Sequence, residues 1–313
     1  MGGRHDTRSD VQSSAARTKV ARPPRAFGAA SAADQPRTPR RTGHRPAEAG
    51  RAKPFVKWVG GKRQLLAEIH RHVPGTYGAY HEPFVGGGAV FFSLSPPGEV
   101  FLSDSNERLV RCYKGIKKDA KAVIAELKTF RRGRDFFEEM RGRDIDRASD
   151  VEVAAWFIFL NKTGFNGLYR VNRNNRFNVP FGDGTHRQLF DEKNLLACQR
   201  ALTSATIECQ DFRQAAKRAL PGDFVYFDPP YIPLSSTSSF TSYTARGFTD
   251  ADQCALRDLA LDLKSRGVHV LVSNSSPAAK LYGRPFSTTR VLATRQVNRN
   301  ADGRGKIAEL LIK

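Results

Sequence analysis

The chain has 313 residues, of which 51 are Lys or Arg and 31 are Asp or Glu, giving a formal net charge of +20 at pH 7. Its 40% hydrophobic and 10% aromatic content can build a core, which excludes disorder over the whole length, and no apolar run approaches the roughly 18 residues of a membrane span. A cationic surplus of this size points to a polyanion, nucleic acid ahead of an anionic membrane surface.

The surplus is uneven. Residues 1–53 hold twelve Lys/Arg against four acids, with Phe27 as their only aromatic. This stretch is expected to be a disordered basic tail, because it has too little apolar surface to offset the entropy of ordering. A solvated tail is the reading adopted; a nucleic-acid-binding arm, an organellar transit segment or a start placed too far upstream would share the composition. Nothing in it resembles the apolar core of a secretory signal. Cys112, Cys198, Cys209 and Cys254 lie far apart, without the paired spacing of a zinc site or a disulfide framework. They are expected to be core or half-buried thiols in a reducing compartment.

From Pro54 the pattern becomes globular. An apolar-rich segment over 54–59 runs into Gly60-Gly61-Lys62-Arg63, then into a helix with Leu65, Leu66 and Ile69 on one face. Val56 and Arg63 stand where a P-loop needs Gly and Ser/Thr, so this is no Walker motif. What remains is a glycine turn flanked by Trp58, Lys57 and Lys62, suited either to a ligand or to a plain strand–helix connection. A strand over 80–84 then leads through Val85-Gly86-Gly87-Gly88 to an apolar helix start, the arrangement that brings a nucleoside-type cofactor against bare backbone. A second strand ends at Asp104, 18 residues after Gly86. Its carboxylate can accept from both hydroxyls of a ribose, or Asp104-Ser-Asn106 can cap a helix.

Residues 115–195 interrupt the strand–helix alternation. A charged helical stretch is expected over 119–140 and a buried helix over 151–160, ending in Asn161-Lys162-Thr163-Gly164. Residues 165–181 hold three Arg, five Asn, four aromatics and no acid, and read as a hairpin about Asn174-Asn175. Arg and Asn carry the forks that match guanine and adenine edges, and aromatics stack or wedge. This is a candidate nucleic-acid contact, the alternative being a solvated loop.

Alternation resumes with a strand over 205–209 and a buried strand over 223–227, stopped by Asp228-Pro229-Pro230-Tyr231. The prolines cannot continue a ladder, and they place a carboxylate, a carbonyl and an aromatic ring at the carboxyl edge of the sheet, where open α/β sheets bind ligands. A polar loop over 234–244 follows. Thr249 and Asp252 have the spacing of a capping box, opening a helix with Leu256, Leu259 and Leu263 on its apolar face and Gly267 at its end. A strand over 268–273 and a closing hairpin, 290–295 against 307–312 about a basic turn at 298–306, complete the chain.

One chemical problem unites these pieces. The exocyclic amine of adenine is a poor nucleophile because its lone pair is delocalised into the ring. A carboxylate and a backbone carbonyl accepting from its hydrogens would localise that pair, and an aromatic face would hold the base; Asp228, Pro229 and Tyr231 supply these groups. Positioning and electrostatics then suffice without a metal, provided that the base leaves the duplex stack.

The motifs Phe55-Val-Lys-Trp-Val-Gly-Gly-Lys62, Glu82-Pro-Phe-Val-Gly-Gly-Gly88, Asp104-Ser-Asn106, Asn166-Gly167, Arg176-Phe-Asn-Val-Pro-Phe-Gly182 and Asp228-Pro-Pro-Tyr-Ile-Pro-Leu-Ser235 resemble, in this order, those of the Dam group of adenine-N6 DNA methyltransferases, the α-type D12 class. The resemblance covers roughly residues 54–313. It implies an α/β fold: a Rossmann-like S-adenosylmethionine-dependent methyltransferase sheet with a closing antiparallel hairpin, formed by 54–114 and 196–313. Residues 115–195 would be an inserted helical and β-hairpin DNA-recognition domain. It implies catalysis by Asp228, Pro229, Pro230 and Tyr231, and S-adenosylmethionine contacts at Trp58, Lys62, Glu82, Asp104 and Asp228. Pro83, Phe84, Gly86 and Gly88 would form the cofactor loop, with Asp211 near the cofactor's adenine and no metal. Lys57, Phe165, Asn166, Leu168, Arg170, Asn172 and Pro180 would line the surface for double-stranded DNA, with GATC as the target. A cytoplasmic enzyme of bacterial or phage origin, solitary or in a restriction-modification pair, is implied, with no membrane or obligate protein partner. Three features depart from the family pattern: Phe165 replaces a Tyr, Tyr169 occupies a usually small position, and Asp-Gly-Thr-His-Arg follows Gly182 in place of a Lys-rich continuation. An adenine-N6 RNA methyltransferase would share the Asp-Pro-Pro-Tyr chemistry, and a non-catalytic DNA-binding protein could share the fold.

Overall fold

Seven strands form one sheet among the described residues: β1 (Tyr80–Glu82), β2 (Val100–Asp104), β3 (Ala205–Cys209), β4 (Phe224–Phe227), β5 (His269–Ser275), β6 (Thr288–Thr294) and β7 (Lys306–Ile312). The computed structural model describes residues 51–182, 188–232, 247–294 and 306–313, together with Gly2 and Arg40–Arg41. The expected tail therefore lies almost wholly outside the described residues, as do the loop at 234–244 and the basic turn from Asn298 to its junction with β7. Within the described part, Arg40–Arg41 pairs antiparallel with Thr76–Tyr77. The backbone of Lys53 exchanges two hydrogen bonds with the Asn194 amide, each at 2.9 Å.

The strand order is β3-β2-β1-β4-β5-β7-β6. The first five are parallel, and β7 runs antiparallel to both β5 and β6, closing the sheet as the sequence suggests. All four β4 residues are buried, the continuous apolar run of a strand covered on both faces. Phe224 and Tyr226 join one core with Leu102, Leu271 and Leu311. Val225 and Phe227 join the other with Val270, Val272, Leu310 and Ile312. The period of two thus divides the apolar side chains between two helical layers.

On the first face lie α1 (Leu66–His72), α2 (Ala89–Leu94), α3 (Glu107–Thr129), α4 (Arg134–Gly142), α5 (Asp150–Thr163) and α6 (Glu192–Leu202). A short α7 (Phe212–Ala215), α8 (Asp250–Ser265) and α9 (Ala278–Tyr282) cover the second. The capping box of α8 forms as expected: Thr249 Oγ1 accepts from Asp252 N at 3.2 Å and Asp252 Oδ2 accepts from Thr249 N at 2.9 Å.

Two expectations need correction and a third is met only in part. The stretch 119–140 is not one helix. Asp119 breaks α3 with extended dihedrals (φ −157°, ψ 86°) and its Oδ1 accepts from Ala122 N, starting a new helical segment; Gly133 at φ +122° then separates α3 from α4. The hairpin expected over 165–181 turns about Asn174-Asn175, with Asn172 N donating to the Arg176 carbonyl at 2.9 Å and Asn178 N to the Arg170 carbonyl at 3.0 Å, but its ladder is limited to two antiparallel bridges, Gly164–Phe181 and Val171–Phe177. Its turn is held by the Asn172 side chain, which accepts from Asn174 N and Arg176 N at 3.0 Å, with Asn175 at φ +56°. Polar side chains here compete with the ladder for backbone donors. Finally, Cys112 and Cys198 are buried, whereas Cys209 and Cys254 are exposed, one at a strand end and one on the outer side of α8.

Residues from the interrupting stretch also pack into the sheet's own core. Phe137, Trp156, Phe157, Tyr169 and Phe177 belong to the same buried cluster as Tyr80 and Leu102. Arg108, nearly buried on α3, forks onto Asp146 at 2.8 and 2.9 Å and donates to the Asn175 carbonyl at 2.6 Å, fastening the Asn-rich turn to the body.

Candidate active site

In a sheet with this order the chain winds one way from β1 through β2 to β3 and the other way from β4 to β5, so the crevice between β1 and β4 is the topological switch point. The residues just beyond those two strands are Pro83 and Asp228. Glu82 closes β1, and the carboxyl end of β2 brings Asp104 alongside.

The glycine turn is built for close approach. Gly86 takes φ +47°, and a Cβ there would lie 2.6 Å from the Trp58 indole; Gly88 takes φ +68°, and a Cβ would lie 2.6 Å from the Tyr113 hydroxyl. Only glycine meets both demands. Asp104 Oδ2 accepts from Gly86 N at 3.1 Å, and Oδ1 from Asn106 N at 2.9 Å. The helix cap itself is Asn106, which accepts from Leu109 N at 3.1 Å, so of the two sequence readings of Asp104 the cap belongs to its neighbour. Burial pushes the Asp104 carboxyl up to about 6, against the pull of the Asn106 and Gly86 amides.

Asp228 follows β4 directly. Its Oδ1 lies 2.8 Å from Lys62 Nζ, with the Lys62 side chain 4% exposed and that of Asp228 21%. Burial pushes the Asp228 carboxyl up to about 6 although Lys62 opposes the rise, and Glu309 adds to it. Lys62 also donates to the Gly60 carbonyl and stands 4.7 Å from the centre of the Tyr231 ring. Tyr231 is anchored at its far end, its hydroxyl donating to Glu309 Oε2 at 2.6 Å. Glu82 accepts from the Tyr80 hydroxyl at 2.8 Å, and burial pushes its carboxyl up to about 8, which leaves it protonated at neutral pH.

A buried amide network sets the backbone beyond Asp228. Gln253 on α8 donates to the Pro230 carbonyl at 2.7 Å, and Asn274 on β5 joins Gln253 to Ile232 N at 3.1 and 3.3 Å. The Ser275 hydroxyl donates to the Ile232 carbonyl at 2.6 Å. Gln253, Asn274, Ser275 and Glu309 escape sequence reasoning because they lie on α8, β5 and β7, far along the chain from residues 228–232, and look like ordinary polar positions in a helix or strand.

The other expected cofactor positions fall in two places. Trp58 stacks on Tyr169, 5.9 Å between ring centres, and Tyr169 on Phe157, 4.7 Å, forming an aromatic column from α5 to the glycine turn. Pro83 is buried and Phe84 packs with Phe212 and Phe248 at 5.3 and 5.8 Å. Asp211, exposed, caps α7 and pairs with Arg213 at 3.0 Å; Arg213 in turn pairs with Asp252 at 2.6 Å.

The positions expected to face DNA are grouped on the loop 164–182 and the adjoining Lys57. Lys57, Asn166, Arg170, Asn172 and Pro180 are exposed, Leu168 is half-buried, and Phe165 is 51% exposed, unusual for so large an apolar side chain. Arg170 donates to Asn178 Oδ1 at 2.7 Å, which fixes its direction. Asn161, fully buried at the end of α5, joins the two segments. Its Oδ1 accepts from Lys57 N at 2.7 Å, and its Nδ2 donates to the carbonyls of Lys57 and Gly167 at 2.9 Å. Gly167, at φ +67°, backs onto the Lys57 side chain, which a Cβ would strike. Asn161→Ala removes three hydrogen bonds, one to the buried Gly167 carbonyl and two to the part-buried Lys57 backbone, a cost on the order of 3 kcal/mol. The expected result is a thermal midpoint lower by roughly 6–12 °C for a domain of this size, read by differential scanning calorimetry.

Among the described residues no cluster of His, Cys, Asp or Glu could hold a metal ion, and no helix is long and apolar enough to cross a membrane.

Residues 58–297 match the family model for D12 class N6 adenine-specific DNA methyltransferases. The chain is 42% identical over 269 residues to the Type II methyltransferase M1.LlaDCHI of Lactococcus lactis subsp. cremoris, covering 83% of this chain and 94% of that protein. It is 42% identical over 284 residues to the Type II methyltransferase M.MjaIII of Methanocaldococcus jannaschii, covering 83% and 98%. It is 37% identical over 265 residues to a DNA adenine methylase of Vibrio cholerae, covering 82% and 94%.

Proposed function

The chain belongs to the D12 class of N6 adenine-specific DNA methyltransferases, and on that premise we propose that it methylates adenine in GATC, flipping the base into a site built from Asp228, Pro229, Pro230 and Tyr231. The observation that carries this reading is the buried Lys62–Asp228 pair beside the anchored Tyr231 ring, at the sheet's switch point.

The residues present fit S-adenosylmethionine. Gly86 and Gly88 leave bare backbone in a turn where a Cβ would strike the Trp58 indole or the Tyr113 hydroxyl, and Asp104, half-buried, lies against it as the acceptor from Gly86 N. When bound, the cofactor supplies an electrophilic methyl group on sulfur. Pro83, Phe84, Trp58, Asp104 and Asp211 would hold its adenosyl part, with Lys62 and Glu82 nearer the Asp228 end. Asp228 and the Pro229 carbonyl accept from the two N6 hydrogens of adenine, which localises the nitrogen lone pair and aims it. Tyr231 offers the ring on which the base lies. Adenine N6 is inaccessible inside a stacked duplex, so the base leaves the stack.

On the DNA side, Phe165, whose side chain is exposed and whose N–H donates to the Pro180 carbonyl at 2.9 Å, is the aromatic that would enter the duplex. Lys57, Asn166, Leu168, Arg170 and Asn172 read the site, and residues 115–195 act as the recognition insertion. Arg170, held in one direction by Asn178, has the fork that suits guanine O6 and N7. The test is digestion of genomic DNA from cells that lack other adenine methylation and express the chain. Nucleases that cut only unmethylated GATC should fail, and those that cut only methylated GATC should succeed. Protection at another sequence would replace GATC as the target.

A further inference from the structure

Strand β7 reaches the carboxyl edge of the sheet from the opposite direction to its parallel neighbours. Its register with β5 sets Glu309 opposite Ser275, beside the backbone that Asn274 and Ser275 hold at Ile232. From there its carboxylate takes the Tyr231 hydroxyl at 2.6 Å. We propose that Glu309 is a positioning residue for methyl transfer, acting through Tyr231, an inference that rests on reading residues 228–231 as the methyl-transfer site.

Two physical effects follow from this bond. First, it fixes the ring. Gln253 holds the preceding carbonyl, Lys62 covers the ring, and Glu309 grips the hydroxyl, so the ring is constrained along its length. A flipped adenine meets a preorganised face and does not have to order one. Second, a charge-assisted acceptor on a phenol draws the O–H bond toward the carboxylate and returns electron density to the ring. As adenine N6 takes the methyl group it gains positive charge until a proton leaves. An electron-rich aromatic face attracts positive charge more strongly. The effect therefore belongs to the transition state more than to binding.

The test combines Glu309→Ala, Glu309→Gln, Tyr231→Phe and the double variant Tyr231→Phe/Glu309→Ala. It measures single-turnover methyl transfer to a duplex oligonucleotide, with dissociation constants for S-adenosylmethionine and for DNA. Glu309→Ala and Tyr231→Phe should each lower the rate by about tenfold or more, with both dissociation constants within about threefold of the parent. The double variant should be no slower than the slower single variant, within about twofold. Glu309→Gln, which retains an acceptor oxygen for the ring's position but not the charge, should recover part of the loss; a variant that merely unfolds would instead lose cofactor binding and fail this rescue. A parental rate for Glu309→Ala, losses that multiply in the double variant, or weaker binding at an unchanged rate would each overturn the proposal. Tyr231→Ala separates the two levels. If it transfers methyl at the parental rate, the reading of the site itself fails; if it is inactive while Glu309→Ala is normal, only the role of Glu309 fails.

Discussion

Replacing Asp228 by alanine is expected to lower methyl transfer by about a thousandfold or more, while DNA affinity stays within about threefold. The carboxylate is the one charged acceptor at the end of β4, and the chain commits a buried lysine to it. Its removal takes away the group proposed to localise the N6 lone pair and leaves Lys62 buried without the carboxylate. The expected DNA-contacting side chains lie elsewhere, on 164–182 and Lys57, and Asn161 holds those segments together without help from Asp228. Rate and affinity should therefore separate. Transfer assays alongside gel-shift titrations on the same duplex read both, and a parental rate would remove Asp228 from catalysis.

Lys62→Met should move the acid limit of activity. On the proposed mechanism Asp228 is ionised when it accepts from the amine, so activity should be retained above its pKa and lost as pH falls through it, about 6 in the parent. The groups bearing on that carboxyl are Lys62, which lowers it, and Glu309, which raises it; Glu82, Tyr226 and Tyr231 are the other titratable groups in reach. Without Lys62 the rise caused by burial is unopposed. The acid limb of the pH–rate profile should shift upward by at least about one unit, and activity at neutral pH should fall by about tenfold or more, with partial recovery in alkaline buffer. An unshifted profile would mean that Lys62 does not hold Asp228 ionised.

The same shifts have a cost in stability. For Asp104 and Asp228 the folded pKa lies above the ordinary aspartate value, so the folded state holds the proton more tightly than the unfolded chain does. The stabilisation this confers is complete below about 4 and is lost as pH rises through about 6. Glu82 behaves likewise, its contribution being lost as pH rises through about 8. Near neutral pH Asp104 and Asp228 are thus ionised where burial disfavours it, while Glu82 keeps its proton, a common tension between function and stability.

The chemistry was more legible in the sequence than the scaffold that aims it. Asp228 to Tyr231 announces itself because two prolines after a buried strand leave few conformations open, and Gly86 and Gly88 because positive φ and close approach leave few residues eligible. The capping box of α8 is likewise a local pattern with a local cause. Asn161, Gln253, Asn274 and Glu309 give no such sign, since their partners lie at Lys57, Pro230, Ile232 and Tyr231, from 23 to 104 residues away. Only the folded register brings them together. The hairpin over 165–181 is legible as a turn about Asn174-Asn175, but how little ladder it keeps is not, because asparagine side chains that mark a turn also bind backbone groups that a strand ladder would use. Asp104 and Asn106 carry equivalent capping chemistry two residues apart, and only the direction of β2 decides which one meets the helix.

The central claim is that Asp228 and its neighbours direct a methyl group to adenine N6 in duplex DNA. The most direct measurement is mass spectrometry of nucleosides from a GATC duplex and from an RNA of matched sequence, each incubated with S-adenosylmethionine and either the parent or Asp228→Ala. N6-methyldeoxyadenosine should form from the duplex with the parent chain alone, and RNA should remain unmodified. Methylated cytosine, preferential methylation of RNA, or equal product from the Asp228 variant would contradict it.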